Sequence, residues 1–349
     1  MPDPKSNQTS NLDADKIEFK DKFIEKYSKL TEVEEFKKYS LMFLRRSIRV
    51  NTIKTNVDDI KKKLEEDWIL TPIHWCHEGF WIEHKGEEKE DEEGNIELVK
   101  RRDVGNIPEH TLGYFYIQEA ASMIPPIVLD PKPGEKVLDM CASPGSKTTQ
   151  IGMYMKNEGI LIANDYKYDR IKSLGLNVQR CGLSNCIITL MMGHNFAKLG
   201  EEKFDKILVD APCTGTGTIM KSLNTLRIWN PHMTKKIAAQ QKQLIEAGFK
   251  LLKKGGTLVY STCTLEPEED EGVVSWLLEK YNGKNEGKSE ESKGLKADTE
   301  PIKLNGLKHG QAITEYDGEK YNPGVKNCLR IWPQDNDTEG FFVAKIRKG

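Results

Sequence analysis

The chain contains no apolar run that approaches the eighteen or so residues of a membrane-spanning helix. Residues 1–20 are polar and charged, and they lack the apolar core of a secretory signal. The chain has 52 Lys and Arg residues and 54 Asp and Glu residues, so neither sign of charge dominates. The overall charge therefore does not indicate a nucleic-acid partner. These absences predict a cytoplasmic protein that does not contact a membrane.

The seven cysteines show neither a disulfide pattern nor a zinc pattern. An odd number of cysteines in a chain without an export signal argues against a disulfide framework. Cys181 and Cys186 lack a second pair at zinc-ligand spacing, and no Cys-x-x-Cys pair occurs. We therefore expect no metal site, and the cysteines should serve either packing or chemistry.

The 349 residues suit one large α/β domain with a smaller appendage. Residues 1–15 are rich in Asn, Asp, Ser and Lys, which predicts a disordered lead-in. Helical spacing followed by an alternating strand, Ser47–Lys54, predicts a small α+β domain over residues 16–110, with an acidic loop at Lys85–Gly94. The polar composition of residues 282–300 predicts a flexible insertion.

From residue 111 to residue 349, short β-branched runs alternate with helical segments, which predicts a doubly wound, mainly parallel sheet. The expected parallel strands are Val137–Met140, Ile160–Ala163, Ile187–Met192, Ile207–Val209 and Leu258–Tyr260. The expected helices between them include Thr148–Met155, Arg170–Gln179 and Thr234–Leu252. Phe341–Ile346 is expected to pair as a strand at the edge of this sheet.

The first of these strands runs directly into a tight turn and a helix, where a doubly wound fold binds a nucleotide. The turn reads Cys141-Ala142-Ser143-Pro144-Gly145-Ser146-Lys147. Backbone N–H groups at the start of a helix favour an anionic or carboxylate-bearing group, and the sequence is neither Gly-x-Gly-x-x-Gly nor a P-loop. Asp165, at the end of the second strand, suits ribose hydroxyls. S-adenosylmethionine fits both features, and a turn without a ligand is the alternative.

Two cysteines follow the fourth and fifth strands, as Asp210-Ala211-Pro212-Cys213 and Thr262-Cys263. The carboxyl ends of parallel strands share one edge of the sheet, so both thiols and the Asp210 carboxylate should converge there. The alternative is that both cysteines are small buried apolar residues. Methylation of cytosine at carbon 5 needs an activated thiol, an acid near ring nitrogen 3 and a base. Lys147, on the neighbouring loop, could supply positive charge to the thiol or polarise the base.

These motifs resemble the Sun-type (RsmB/Nop-type) RNA cytosine-5 methyltransferases, in particular the archaeal-like members that act on tRNA. The resemblance runs from Arg49 to Lys348 and is densest in Asp139–Thr149, Asp210–Gly215 and Tyr260–Glu271. It implies a Rossmann-like class I methyltransferase domain that uses S-adenosylmethionine. It also implies catalytic roles for Cys263 as nucleophile, for Cys213 in proton removal and product release, and for Asp210 and Lys147. The implied cofactor-binding residues are Cys141, Ala142, Ser143, Pro144, Gly145, Ser146, Lys147, Asp165, Arg170, Asn195 and Asp210. Ser146 and Asn195 stand where the family usually has Gly and Asp.

The small N-terminal domain resembles the RNA-contacting portion of that family through Arg45, Arg46, Arg49 and Asn51. Such residues would contact phosphates and position the RNA without reading its sequence. A solvated basic surface is the alternative interpretation. The target cytosine must leave its base stack before a thiol can reach carbon 6.

We therefore expect a monomeric enzyme that forms 5-methylcytosine in RNA through a covalent adduct between Cys263 and carbon 6, resolved with Cys213. A tRNA substrate is expected, because the chain shows no added RNA-binding domain of the kind that would favour ribosomal RNA. The alternatives are a ribosomal RNA enzyme with the same chemistry and a non-catalytic, cofactor-binding scaffold in RNA maturation.

Overall fold

A computed structural model describes residues 18–90, 96–99, 103–283 and 294–349. The predicted lead-in at residues 1–15 and most of the predicted insertion, residues 284–293, lie outside the described residues. The α-helices are α1 (Asp21–Tyr27), α2 (Val33–Leu41), α3 (Val57–Leu64), α4 (Pro108–Thr111), α5 (Ile124–Leu129), α6 (Ser146–Tyr154), α7 (Tyr168–Cys181), α8 (Asn224–Ile228), α9 (Pro231–Leu251), α10 (Glu271–Asn282) and α11 (Pro333–Asn336).

The strands fall into a small antiparallel sheet, a large mixed sheet and two hairpins. They are β1 (Ser47–Val50), β2 (Trp68–Ile73), β3 (Cys76–His84), β4 (Glu87–Glu90), β5 (Ile96–Val99), β6 (Phe115–Ile117), β7 (Lys136–Asp139), β8 (Ile160–Asp165), β9 (Cys186–Leu190), β10 (Phe204–Asp210), β11 (Leu252–Thr262), β12 (Ala297–Glu300), β13 (Glu315–Tyr316), β14 (Glu319–Lys320), β15 (Leu329–Ile331) and β16 (Phe341–Lys348). Within the described residues, no helix is both long enough and apolar enough to span a membrane.

The small sheet has the order β2-β3-β1-β6, and all of its neighbouring strands pair antiparallel. Ile48, Val50 and Phe80 bury their side chains in its core together with Phe115 from β6. The sheet therefore extends to Ile117, past the boundary predicted at residue 110, because the chain returns to pair with β1 before it enters the large domain.

The large sheet has the order β12-β16-β11-β10-β7-β8-β9, with β15 paired to β16. The five strands from β11 to β9 pair in parallel, and β16 runs antiparallel to β11. The predicted doubly wound, mainly parallel sheet is thus confirmed. The order along the chain reverses between β7 and β10, and a crevice at such a switch point is where this type of fold binds its ligand.

Two sequence predictions about loops and edges were wrong. β16 is not the edge strand, because β12 pairs on its outer side, and β12 occupies residues 297–300 of the predicted flexible insertion. Glu87–Glu90 lies in the predicted acidic loop, yet it pairs with Ile96–Val99 as a hairpin. Strand pairing uses the backbone N–H and C=O groups that every residue except proline carries in full, so a charged composition does not prevent it.

Helices α1 and α2 pack against the large domain through aromatic side chains. Phe23 stacks on Tyr27 with ring centroids 4.1 Å apart and meets Trp229 edge to face at 5.0 Å. Phe36 meets Trp332 edge to face at 6.1 Å. The first helices of the chain thereby contact the segments that flank the cysteine loops.

Candidate active site

The turn between β7 and α6 depends on a glycine. Gly145 has φ +107°, and a Cβ atom there would lie 3.1 Å from a methyl group of Leu174, so a larger residue would be strained and crowded. The Thr148 hydroxyl donates to Asp139 Oδ2 at 2.7 Å and ties the helix to the strand. Burial raises the pKa of Asp139 to about 7, although the Thr148 hydrogen bond acts in the opposite direction.

The end of β8 lies against the same turn. The carboxylate of Asp165, only 1% exposed, accepts a hydrogen bond from the Ser143 backbone N–H at 3.3 Å. Arg170 Nη1 lies 3.6 Å from Asp165 Oδ2, and Nη2 donates to the Ser143 carbonyl at 2.5 Å. Asp165 therefore lies beneath the Arg170 guanidinium. Asn195 lies in the 3₁₀ turn that follows β9, at the same edge of the sheet.

The loops after β10 and β11 bring two thiols together. Asp210 pairs with Ser261 in the parallel register, and beyond these residues the Sγ atoms of Cys213 and Cys263 lie 3.3 Å apart. Both cysteines are free and half-buried. The hydrogen bond with Cys263, together with burial, raises the pKa of Cys213 well above its ordinary range. Within the described ranges, no cluster of His, Cys, Asp and Glu could hold a metal ion.

The Asp210 carboxylate is held from two sides. Lys147 Nζ donates to Oδ2 at 2.8 Å, and the Ser261 hydroxyl donates to Oδ1 at 2.8 Å. Burial lowers the pKa of Lys147, but the Asp210 carboxylate outweighs it and leaves this pKa raised. The Lys147 ammonium also lies 5.2 Å from the ring centroid of Phe341. Three loops, from β7, β10 and β11, therefore meet at one Lys–Asp pair.

Glu269 holds the Cys213 loop in place, and sequence reasoning assigned it no role. Its carboxylate accepts from the Thr214 hydroxyl at 2.6 Å, from the Thr214 backbone N–H at 3.1 Å and from Gln241 Nε2 at 2.9 Å. Burial raises the pKa of Glu269 to about 7. Gln241 Nε2 also donates to the Pro212 carbonyl at 2.9 Å, so α9 and the segment after Cys263 fix this loop together.

The acidic run Glu266–Glu271, which follows Cys263, pairs with buried cations from distant parts of the chain. Glu266 binds Lys26 and accepts from the Tyr27 hydroxyl at 2.9 Å. Arg330 Nη2 donates to Asp270 Oδ2 at 3.0 Å, and Nη1 donates to the Leu265 carbonyl at 3.0 Å. The only sequence signal for this bracing was the density of acids in the run, which gives no indication of their partners.

The structure contradicts two of the four predicted RNA contacts. Arg49 is fully buried and donates to the Ser146 carbonyl and to Thr149 Oγ1, both at 2.9 Å. Asn51 is 1% exposed and donates to the carbonyls of Gly113 and Cys181 at 2.8 and 2.9 Å. These residues face the large domain because their strand lies against α6 and the end of α7. Arg45 and Arg46 are exposed, and the Arg45 guanidinium lies 4.3 Å from the ring centroid of Trp81.

A glycine-dependent turn at the switch point of a doubly wound sheet, beside two adjacent thiols and a Lys–Asp pair, defines a Rossmann-like methyltransferase. Residues 126–347 match the family model of the 16S rRNA methyltransferases RsmB/F, and residues 19–120 match the N-terminal domain of RsmF. The chain belongs to the RsmB/F family. The enzyme class predicted from the sequence, an RNA cytosine-5 methyltransferase, is confirmed.

The relatives include an archaeal protein that matches the chain almost from end to end. The chain is 45% identical over 330 residues to a tRNA (cytosine(49)-C(5))-methyltransferase of Pyrococcus abyssi, covering 94% of this chain and 96% of the relative. It is 43% identical to ribosomal RNA small subunit methyltransferase F of Escherichia coli, covering 87% of this chain but only 57% of that protein's length. The crystal structure of a methyltransferase homologue from Pyrococcus horikoshii, 35% identical, superposes with a TM-score of 0.71 and covers 90% of this chain and 89% of that one.

Proposed function

We propose that this enzyme transfers a methyl group from S-adenosylmethionine to carbon 5 of a cytosine in tRNA. The 3.3 Å contact between Cys213 and Cys263, next to the Lys147–Asp210 pair, carries the proposal. The archaeal relative named as a tRNA enzyme supports the substrate class, because it matches 96% of its own length. The family model, named for 16S rRNA enzymes, favours ribosomal RNA as a second candidate.

The residues around the β7–α6 turn fit S-adenosylmethionine. Asp139 Oδ1 is buried and has no hydrogen-bond partner within the described residues, and Gly145 allows the tight turn that leads into α6. We assign residues 141–147 to the amino-acid part of the cofactor and Asp165 to its ribose, for which Arg170 has to swing aside. Asn195 is assigned to the adenine side. When bound, S-adenosylmethionine supplies an electrophilic methyl group on a positively charged sulfur.

Cys263 is assigned to the covalent step. Its thiolate adds to carbon 6 of cytosine, and the electrons of the carbon 5–carbon 6 double bond move into the ring, which makes carbon 5 nucleophilic. Asp210, which accepts hydrogen bonds from Lys147 and Ser261, is assigned to the nitrogen 3 edge. There its carboxyl group would have to carry a proton that it shares with nitrogen 3 as negative charge develops on the ring. Carbon 5 can then take the methyl group.

Cys213 is assigned to the second half of the reaction. The carbon 5 proton must leave, and its bonding electrons rebuild the ring double bond while the Cys263 thiolate departs from carbon 6. The 3.3 Å contact between the two Sγ atoms supports a role for both thiols at one cytosine ring, because it keeps Cys213 close to the ring once Cys263 is bound to carbon 6. Once Cys263 is bound to carbon 6, it no longer shares a hydrogen bond with Cys213, and Cys213, after losing its own proton to solvent, can accept the carbon 5 proton as a thiolate.

Bisulfite sequencing of total RNA from host cells with and without the gene tests the proposal. The expected result is one or a few cytosines in tRNA that resist conversion only when the gene is present. Protection confined to the small-subunit ribosomal RNA would support the second candidate. If no cytosine in any RNA changes, and purified protein binds S-adenosylmethionine without transferring its methyl group, the chain is a non-catalytic scaffold.

A further inference from the structure

A charged cluster that the proposed mechanism does not use lies beside Cys263. Lys221 forms an ion pair with Glu339, whose side chain is 3% exposed, whereas 51% of the Lys221 side chain is exposed. Behind Glu339 lies Glu119, which accepts the Glu339 backbone N–H at 3.2 Å and the Ser122 N–H at 3.0 Å. The Lys221 ammonium is therefore exposed to solvent, and the carboxyl groups of Glu339 and Glu119 lie beneath it.

Backbone hydrogen bonds fix this cluster against the reacting thiol. The Gly217 N–H donates to the Cys263 carbonyl at 3.0 Å, and the Gly340 N–H donates to the Gly217 carbonyl at 2.9 Å. A Cβ atom on Gly217 would lie 2.2 Å from the Gly340 oxygen and 2.8 Å from the Cys263 oxygen, so these three segments touch directly. Lys221 and Glu339 come from two of these segments.

The Lys221 ammonium forms its ion pair with the Glu339 side chain. Burial and the neighbouring Glu339 raise the pKa of Glu119. Taking Lys221 away from Glu339 would leave that buried carboxylate unpaired, which is costly. An ammonium carries three N–H donors, and half of the Lys221 side chain is exposed, so Lys221 can donate to a second anion while it keeps its ion pair with Glu339.

The chemistry of a nucleotide indicates which anion arrives there. In a pyrimidine nucleotide in the ordinary anti conformation, carbon 6 is the ring atom nearest to its own 5′-phosphate. Attack at carbon 6 by Cys263 therefore brings that phosphate to the side of the thiol. Lys147 and Lys221 both lie close enough to interact with Cys263, but Lys147 is buried and held by Asp210, whereas half of the Lys221 side chain is exposed.

We propose that Lys221 binds the 5′-phosphate of the cytidine that is methylated. The proposal rests on the proposed function, since it takes Cys263 as the thiol that attacks carbon 6. Lys221 is thus a substrate-positioning residue, and the ion pair with Glu339 holds its side chain in place.

The test uses two synthetic RNAs built around the cytidine that bisulfite sequencing identifies. Both carry 5-fluorocytidine there, because fluorine at carbon 5 cannot be removed as a proton and the covalent adduct accumulates. In the second RNA, an uncharged methylphosphonate replaces the linkage on the 5′ side of that nucleotide. Equilibrium Kd values without cofactor, and adduct yields with cofactor, are measured for wild type, Lys221→Gln and Lys221→Arg.

We expect the neutral linkage to weaken wild-type binding about tenfold, as loss of one charged hydrogen bond does. Lys221→Gln should bind both RNAs with similar Kd values, and Lys221→Arg should behave like wild type. Lys280→Gln is the matched control. Lys280 pairs with Glu246 at 2.8 Å, and Glu246 lies near the end of α9, at the edge of the sheet opposite the site.

The two failures are distinguishable. If the neutral linkage weakens wild type and Lys221→Gln by the same factor, Lys221 does not bind this phosphate and the inference is overturned, whatever the adducts show. If wild type forms no adduct with either RNA, but the ratio of its Kd values for the neutral and the charged RNA still depends on Lys221, the phosphate contact is supported and the covalent mechanism is wrong.

Discussion

The Arg49 guanidinium donates a hydrogen bond to Thr149 Oγ1 at 2.9 Å and so joins the small antiparallel sheet to α6, the helix that follows the β7–α6 turn. The same guanidinium donates to the Ser146 carbonyl, at the first residue of that helix. A basic residue that looks from its sequence like an RNA contact is therefore an internal brace between the two domains.

Arg49→Ala should destabilise the protein by at least about 2 kcal/mol, because it leaves buried acceptors without their charged donor. Arg45→Ala should leave stability within about 0.5 kcal/mol of wild type but lower the salt dependence of RNA binding, because an exposed guanidinium that contacts a phosphate releases a counterion. Urea unfolding and RNA titrations at several salt concentrations measure both effects. Equal stability of the two variants would contradict the bracing role of Arg49.

Asp165→Asn should weaken S-adenosylmethionine binding several-fold in calorimetric titrations without RNA. The substitution keeps the side-chain volume but removes the charge that favours the ribose hydroxyls, each hydrogen bond contributing about 0.5–1.5 kcal/mol. Asp169→Asn is the matched control, since the side chain of Asp169 is 94% exposed and pairs with Lys172 on the surface of α7. Unchanged affinity in Asp165→Asn would place the ribose elsewhere.

Substitutions of Cys263 and Cys213 should have different effects if the proposed mechanism is correct. Cys263→Ala should abolish methylation and leave no protein–RNA adduct. Cys213→Ala should still attack and methylate the cytosine, but it should then stall as an adduct that survives denaturing electrophoresis in the presence of cofactor. Cys186→Ala, which changes a partly buried thiol on β9, is the control and should retain activity without trapping RNA.

The opposite pattern, with adduct trapped by Cys263→Ala, would exchange the roles of the two thiols. Loss of activity in both variants without any trapped RNA would mean that the thiols are structural and that the enzyme uses another mechanism.

Stability should fall as pH rises toward neutrality, and Asp139 should contribute to that fall. Its pKa is about 7 in the folded protein, against an ordinary value of 3.8, so the folded state holds the proton that the unfolded chain has lost. This stabilisation is complete below the ordinary value and disappears as pH passes about 7. Urea unfolding at about pH 5 and pH 8 should show a smaller decrease for Asp139→Asn than for wild type. Equal decreases would mean that Asp139 is already ionised at the lower pH.

The parallel strands and the loops that follow them were predictable from the sequence, because buried parallel strands are short β-branched runs and because their carboxyl ends share one edge. The convergence of Asp210, Cys213 and Cys263 follows from that rule alone. The 3.3 Å separation of the two thiols does not, since it depends on Glu269 and Gln241 holding the Cys213 loop.

The buried ion pairs that hold the acidic run Glu266–Glu271 were not predictable for a related reason. Lys26 and Glu266 are 240 positions apart, and Arg330 reaches Glu271 from 59 positions away. Local patterns of hydrophobicity and charge carry no information on such pairings. For the same reason the sequence did not predict that Arg49 and Asn51 are buried. Polar side chains suggest an exposed position, but both of these point toward the large domain.

The position of β16 in the large sheet has a consequence for the time course of synthesis. This strand lies between β11 and β12, yet it is formed by residues 341–348, after both of its neighbours have been made. A nascent chain that ends before residue 340 leaves β11 paired with β10 alone, and it lacks both Phe341 beside Lys147 and Gly340 against Gly217. Pairings this distant in sequence form slowly. The enzyme should therefore acquire its activity only after the ribosome has released these residues and β16 has paired between β11 and β12.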